Sequence, residues 1–169
     1  AETGPLAASW HLNKIINPLT DGIVLPILHL NGYKIANPTI FARMPQDELI
    51  KFFEGCGWTP YIVEANTTAK MHELMAKTLD KCINDINVIK TKTRLNKRAT
   101  YPMIILKTPK GWGGPKFIDK KEIEGTFRAH QVPVTVNKDH PENVRILEAW
   151  LRSYKPDELF NKDGSFKKE

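Results

Sequence analysis

The chain has 169 residues, of which 41% are hydrophobic and 26% charged, and a formal charge of +6. That length suits one domain with a full core, the balance is that of a soluble globular protein, and no apolar run approaches the ~20 residues of a membrane-spanning helix. The charge is uneven. Lys90 to Lys121 holds ten basic residues and one acid, Asp119, so this segment is +9 and the remainder −3. The bias suits an anionic partner, either nucleic acid or a phosphorylated small molecule; a solvated, lysine-rich loop stays open beside it.

In chain order, the start Ala-Glu-Thr-Gly-Pro has neither the basic opening nor the apolar stretch of a signal peptide. Gly4 to Asn17 reads as a helix with Leu6, Trp10, Leu12, Ile15 and Ile16 on one broad face, ended by Pro18. Asp21-Gly22 is a turn. Ile23 to Leu30 is apolar on both faces, as in a strand buried in a parallel sheet, and it stops at the polar corner Asn31-Gly32-Tyr33. Asn-Gly is also a strong hairpin signal, although Pro38 arrives too soon for a good return strand.

Asn37 to Pro45 is a loop with Ile40-Phe41 tucked inward. A short helix begins at Pro45 to Glu48, with acids in its first turn, and closes at Gly55. Trp58 to Val63 is a strand. Asn66-Thr67-Thr68 matches a glycosylation sequon but reads as a helix cap. It opens a long helix with Met71, Leu74, Met75, Leu79, Cys82, Ile83 and Ile86 at helical spacing. Lys90 to Thr100 is a basic linker, and Tyr101 to Leu106 a third strand that ends in Lys107-Thr108-Pro109-Lys110.

Phe117 to Gln131 is irregular and carries His130. Pro141 to Tyr154 is a helix with Val144, Leu147, Trp150, Leu151 and Tyr154 as its stripe; Asp157 to Phe160 is one further turn, and residues 155–169 form a tail with a frayed end. Cys56 and Cys82 have no metal or redox spacing and read as buried thiols of a reducing cytoplasm, with a single disulfide as the alternative.

The alternation of helix and strand predicts an α/β fold, a parallel, doubly wound sheet with flanking helices. Ligands of such sheets bind beyond the carboxyl ends of the strands, and both Asn31 and Lys110 fall just past a strand end. His130 is either a structural histidine or a proton-transfer group.

Several segments together resemble phosphoketolase, a thiamine-diphosphate enzyme related to transketolase. They are Glu2-Thr3-Gly4-Pro5-Leu6, Leu25 through Pro38, Thr108-Pro109-Lys110-Gly111-Trp112, Arg128 through Pro133, and Trp150-Leu151 with Ser153-Tyr154. The resemblance implies a domain binding the cofactor's diphosphate. In it Asn31 and the Tyr33 carbonyl would hold Mg²⁺, Gly32 would belong to the cofactor-binding turn, and Ile35 would lie near the cofactor's rings. Lys110 and His130 would face substrate at the reaction centre. Hard oxygens such as an amide and a carbonyl are what Mg²⁺ prefers. The implied reaction cleaves xylulose 5-phosphate or fructose 6-phosphate with inorganic phosphate to acetyl phosphate and an aldose phosphate. The implied setting is a cytoplasmic homodimer that includes the rest of a longer polypeptide, with no membrane or nucleic-acid role.

The chain departs from the family pattern at its start, just after the place of a Gly-Asp-Gly whose Asp is a further Mg²⁺ ligand. The strand carrying it is also expected to be absent, and the isolated chain is expected to be inactive. Transketolase-type transfer and a basic nucleic-acid-binding module are the alternative readings; the latter lacks aromatic interleaving of its basic residues.

Overall fold

The structure is a computed structural model and describes residues 2–92 and 99–168; residues 93–98 of the expected basic linker lie outside them. The chain forms two compact units, Ala1–Pro109 and Lys110–Glu169.

The first unit opens with a short helix α1 (Pro5–Ser9) and a 3₁₀ turn, Leu12–Lys14, where one continuous helix was expected. The break has a local cause. Ser9 Oγ donates to Leu6 O at 2.6 Å, and the buried Asn13 amide donates to Cys56 O at 3.1 Å and Gly57 O at 2.9 Å. Lys14 Nζ adds a bond to Cys56 O at 2.6 Å. Those carbonyls belong to the end of another helix, whose last groups lack intrahelical donors and which favours a cation there. An unbroken helix would carry Asn13 and Lys14 elsewhere. The expected stripe is accordingly split, with Trp10 buried and Ile15 80% exposed.

Strand β1 is only Ile27–Leu30. Along the chain come a 3₁₀ turn at Phe41–Arg43, helix α2 (Gln46–Cys56), strand β2 (Trp58–Val63), helix α3 (Thr68–Lys92) and strand β3 (Tyr101–Lys107). The sheet order is β1-β3-β2 and both pairings are parallel, as expected from the alternation. The central β3 has its first five residues buried. The edge strand β1 does not meet the expectation of burial on both faces, for Ile27 is 48% exposed and His29 is exposed. Pro102 sits in the central strand at no cost to the ladder. Ile104 N donates to Pro26 O at 2.9 Å, so Pro102, two residues earlier, faces the same side below the point where β1 begins.

Helix α2 runs past Gly55 and closes at Gly57, which takes the left-handed conformation at φ 90°. The core joins Trp10, Phe41, Leu49 and Phe53 to Trp58, Tyr101, Met103 and Ile105. Of the expected inward pair, Phe41 is buried and Ile40 is 43% exposed. Trp58 Nε1 donates to Trp10 O at 2.8 Å and Tyr101 OH to Ile16 O at 3.1 Å, tying the N-terminal segment to the sheet. Along α3, Met71 and Cys82 are buried whereas Ile83 is 51% exposed; both cysteines are free thiols.

In the second unit, strands β4 (Phe117–Ile118) and β5 (Lys121–Glu122) form a small antiparallel hairpin inside the segment expected to be irregular. Asp119 and Lys120 both have positive φ, 49° and 62°, the geometry that matches strand twist in two-residue hairpins. A 3₁₀ turn spans Phe127–His130, capped by Thr126 Oγ1, which accepts from Arg128 N at 3.2 Å. Helix α4 (Asn143–Ser153) and the turn α5 (Pro156–Leu159) complete the unit. Ile118, Ile123 and Val134 pack with Ile146, Leu147 and Trp150. The expected α4 stripe is met in part: Leu147 and Trp150 face this cluster together with Ile146, whereas Val144, Leu151 and Tyr154 are exposed. In the segment expected to be a tail, Phe160 bridges Phe166 with the two rings 4.7 Å apart.

Candidate functional site

At the carboxyl edge of the sheet, Leu30 pairs with Lys107, and Thr108 N donates to Leu30 O at 3.3 Å. Asn31 and Thr108 thus leave the sheet side by side. Asn31 Oδ1 accepts from Tyr33 N at 3.3 Å, an Asx turn that places the Asn31 amide and the Tyr33 backbone on one short arc. Gly32, at φ 91°, supplies the conformation that this arc requires. The loop closes through Lys34 N to Asn37 O at 2.8 Å, Thr39 N to Gly32 O at 3.0 Å and an isolated Tyr33–Pro38 bridge. This is a wider loop than a two-residue Asn-Gly hairpin. The Glu2 carboxylate accepts from Ile40 N at 2.8 Å and Phe41 N at 3.0 Å, anchoring its far side. Ile35 lies on the loop, 64% exposed.

Two side chains that sequence reasoning passed over complete this edge. His29 Nε2 lies 2.7 Å from Thr108 Oγ1, linking the ends of β1 and β3. His29 stood inside an apolar run and read as one more strand residue; only its edge position leaves it exposed.

The donor chemistry at the Asx turn fits a hard cation. The Asn31 amide and Tyr33 carbonyl are neutral oxygens, two residues apart on one turn, of the type Mg²⁺ takes alongside phosphate oxygens. Among the described residues no group of three His, Cys, Asp or Glu could hold a metal by itself.

The second unit opens with the other candidate. Lys110 is 7% exposed, and its Nζ lies 3.1 Å from His130 Nδ1. Burial holds the Lys110 ammonium below its ordinary pKa, because the charged form loses hydration. An ammonium only donates, so with Lys110 charged the ring's Nδ1 accepts and its proton resides on Nε2. The loop from Lys110 to Gly114 is tied to the segment before His130. Gly125 N donates to Lys110 O at 2.7 Å and Gly113 N to Glu124 Oε2 at 3.3 Å. Gly111 has φ 73°, and a Cβ there would stand 2.6 Å from Ala129 Cβ. On the other side, Trp150 Nε1 donates to Gly113 O at 3.0 Å. A cleft of about 470 Å³ lies between Gly113–Pro115 and α4, and neither Lys110 nor His130 lines it. The structure thus brings together Lys110 with His130 and Asn31 with Tyr33, one pair in each unit.

Comparison with known proteins matches the whole chain, residues 1–169, to the family model described as the XFP N-terminal domain. A probable phosphoketolase of Clostridium acetobutylicum is 59% identical over 166 residues, covering 96% of this chain and 21% of that protein. One from Gloeobacter violaceus is 55% identical over 169 residues, 98% of this chain and 21% of its own. Probable phosphoketolase 2 of Lactiplantibacillus plantarum is 51% identical over 172 residues, all of this chain and 22% of its own. The chain therefore spans about a fifth of the length of these curated relatives. With the family model matching from first residue to last and probable phosphoketolases 51–59% identical over nearly all of it, the chain belongs to the XFP N-terminal domain family of phosphoketolases.

Proposed function

We propose that the Asn31–Tyr33 turn of the first unit and the Lys110–His130 pair of the second each serve a thiamine-diphosphate- and Mg²⁺-dependent phosphoketolase. The substrates are xylulose 5-phosphate or fructose 6-phosphate with inorganic phosphate, and the products are acetyl phosphate, an aldose phosphate and water. The observation that carries this reading is the 3.1 Å contact between the buried Lys110 Nζ and His130 Nδ1, two residues twenty positions apart in segments that resemble the family. The Asn31 side chain and the Tyr33 carbonyl would hold the metal, and Gly32 and Ile35 would belong to the cofactor-binding loop. When bound, the cofactor supplies the carbanion chemistry. The protein's own part is to hold anions and move protons. Lys110 presents a cation to a phosphate or developing oxyanion, and His130, its Nδ1 engaged by Lys110, handles a proton at Nε2. The working protein is a cytoplasmic homodimer that includes the remainder of the polypeptide.

The test uses the full-length protein containing this chain and follows acetyl phosphate trapped as a hydroxamate. Lys110→Ala and His130→Ala are expected to lower turnover by about 10²–10⁴ with circular dichroism unchanged. Turnover within a few-fold of the parent protein would make both residues structural. Aldose phosphate released without acetyl phosphate would indicate transketolase-type transfer. The 169-residue chain by itself is expected to turn over no ketose phosphate.

A further inference from the structure

The Asn31-Gly32-Tyr33 turn is rooted at the end of β1, where Asn31 stands two residues beyond His29. At that root lies the His29 Nε2–Thr108 Oγ1 contact of 2.7 Å, beside the main-chain bond from Thr108 N to Leu30 O at 3.3 Å. β1 needs such a tie. It is four residues long, lies at the sheet edge and, among the described residues, pairs with β3 alone. Main-chain bonds lie in the plane of the sheet, whereas side chains such as that of His29 stand out of it. The Leu30–Thr108 main-chain bond and the His29–Thr108 side-chain bond therefore restrain the end of β1 in two different directions.

The contact is exposed, and an exposed hydrogen bond contributes little to folding. Its consequence falls instead on the placing of the adjoining turn. We propose that His29 and Thr108 are positioning residues that set the Asn31-Gly32-Tyr33 turn for its metal and diphosphate. The proposal rests on the phosphoketolase reading for the identity of the ligand. Groups that orient a metal's ligands commonly change metal affinity about 10- to 100-fold when removed.

Three measurements on the full-length protein test this. The first is amide hydrogen exchange without metal or cofactor. Thr108→Val keeps the shape and removes the hydroxyl, and exchange at Tyr33 N–H is expected to accelerate. The second is calorimetric titration with Mg²⁺ at saturating thiamine diphosphate. Thr108→Val and His29→Leu should each weaken Mg²⁺ about tenfold, and the double variant should be no weaker than either single one. The third is conservative rescue: Thr108→Ser, which keeps Oγ, and His29→Gln, whose amide can replace Nε2, should stay within about threefold of the parent protein.

Unchanged Mg²⁺ affinity in Thr108→Val, additive losses in the double variant, or a serine variant as weak as the valine one would each overturn the proposal while leaving the phosphoketolase reading intact. A parent protein that binds neither Mg²⁺ nor thiamine diphosphate and forms no acetyl phosphate would instead sink the reading, and this inference with it.

Discussion

Ala129 leaves no space for a side chain at position 111. A Cβ on Gly111 would sit 2.6 Å from Ala129 Cβ, and the backbone there is left-handed at φ 73°. Gly111 follows Lys110 and Ala129 precedes His130, so this close approach helps set the 3.1 Å Lys110–His130 separation. Gly111→Ala is expected to lose about 1–2 kcal/mol through φ alone, with the clash adding to it. Adding Ala129→Gly removes the clash and should restore part of the loss, which urea unfolding of the single and double variants measures. At this scale the sequence singled out candidates and was silent about distance. Lys110 and His130 stood out by their segments, yet nothing in a twenty-residue separation could show them touching. His29 and Thr108 stayed hidden because one looked like strand filling and the other like a loop residue, and only the β1–β3 register pairs them.

Among the elements, those whose pattern arises within themselves were the most legible. β2 is observed over the predicted Trp58–Val63, and α3 begins at Thr68 next to its predicted cap, with Thr67 Oγ1 accepting from Lys70 N at 3.3 Å. Elements decided by their neighbours were legible only in part. The N-terminal helix breaks so that Asn13 and Lys14 can cap the end of α2, and the buried side of α4 includes Ile146, Leu147 and Trp150 because those residues meet the β4–β5 hairpin region. The hairpin itself was hidden because Asp119-Lys120 contains no glycine although both residues adopt positive φ. One inter-element contact has a direct pH signature. Tyr61 OH of β2 donates to Asp85 Oδ2 of α3 at 2.6 Å, and its pKa is pushed up to about 12, first by desolvation and then by the Asp85 carboxylate. The folded value lies above the ordinary 10.0, so this contribution is complete below pH 10.0 and is lost as pH rises towards 12. In Asp85→Asn the carboxylate causes vanish and desolvation remains. Phenolate absorbance assigned by difference from Tyr61→Phe should then appear at lower pH than in the parent chain, and no change would show that Asp85 has little part in the shift.

At the scale of the whole molecule, the described basic residues of the +9 segment meet different surroundings. Lys107 pairs with Glu64 at 2.6 Å and Lys110 is buried beside His130, while Lys116, Lys120 and Lys121 are exposed in the second unit. The charge asymmetry was plain in the sequence, but its division among an ion pair, a buried contact and solvated surface was not, because composition carries no information on which side chains meet. The two thiols offer a different use of the same architecture. Cys82, on α3, is wholly buried and desolvation raises its pKa, whereas Cys56 at the end of α2 is half-buried. An alkylating reagent should therefore modify Cys56 promptly and reach Cys82 only when α3 lifts from the sheet. The slow phase, tracked by mass spectrometry, becomes a built-in clock for the opening of the first unit; equal rates at both thiols would mean that the helix does not guard its cysteine.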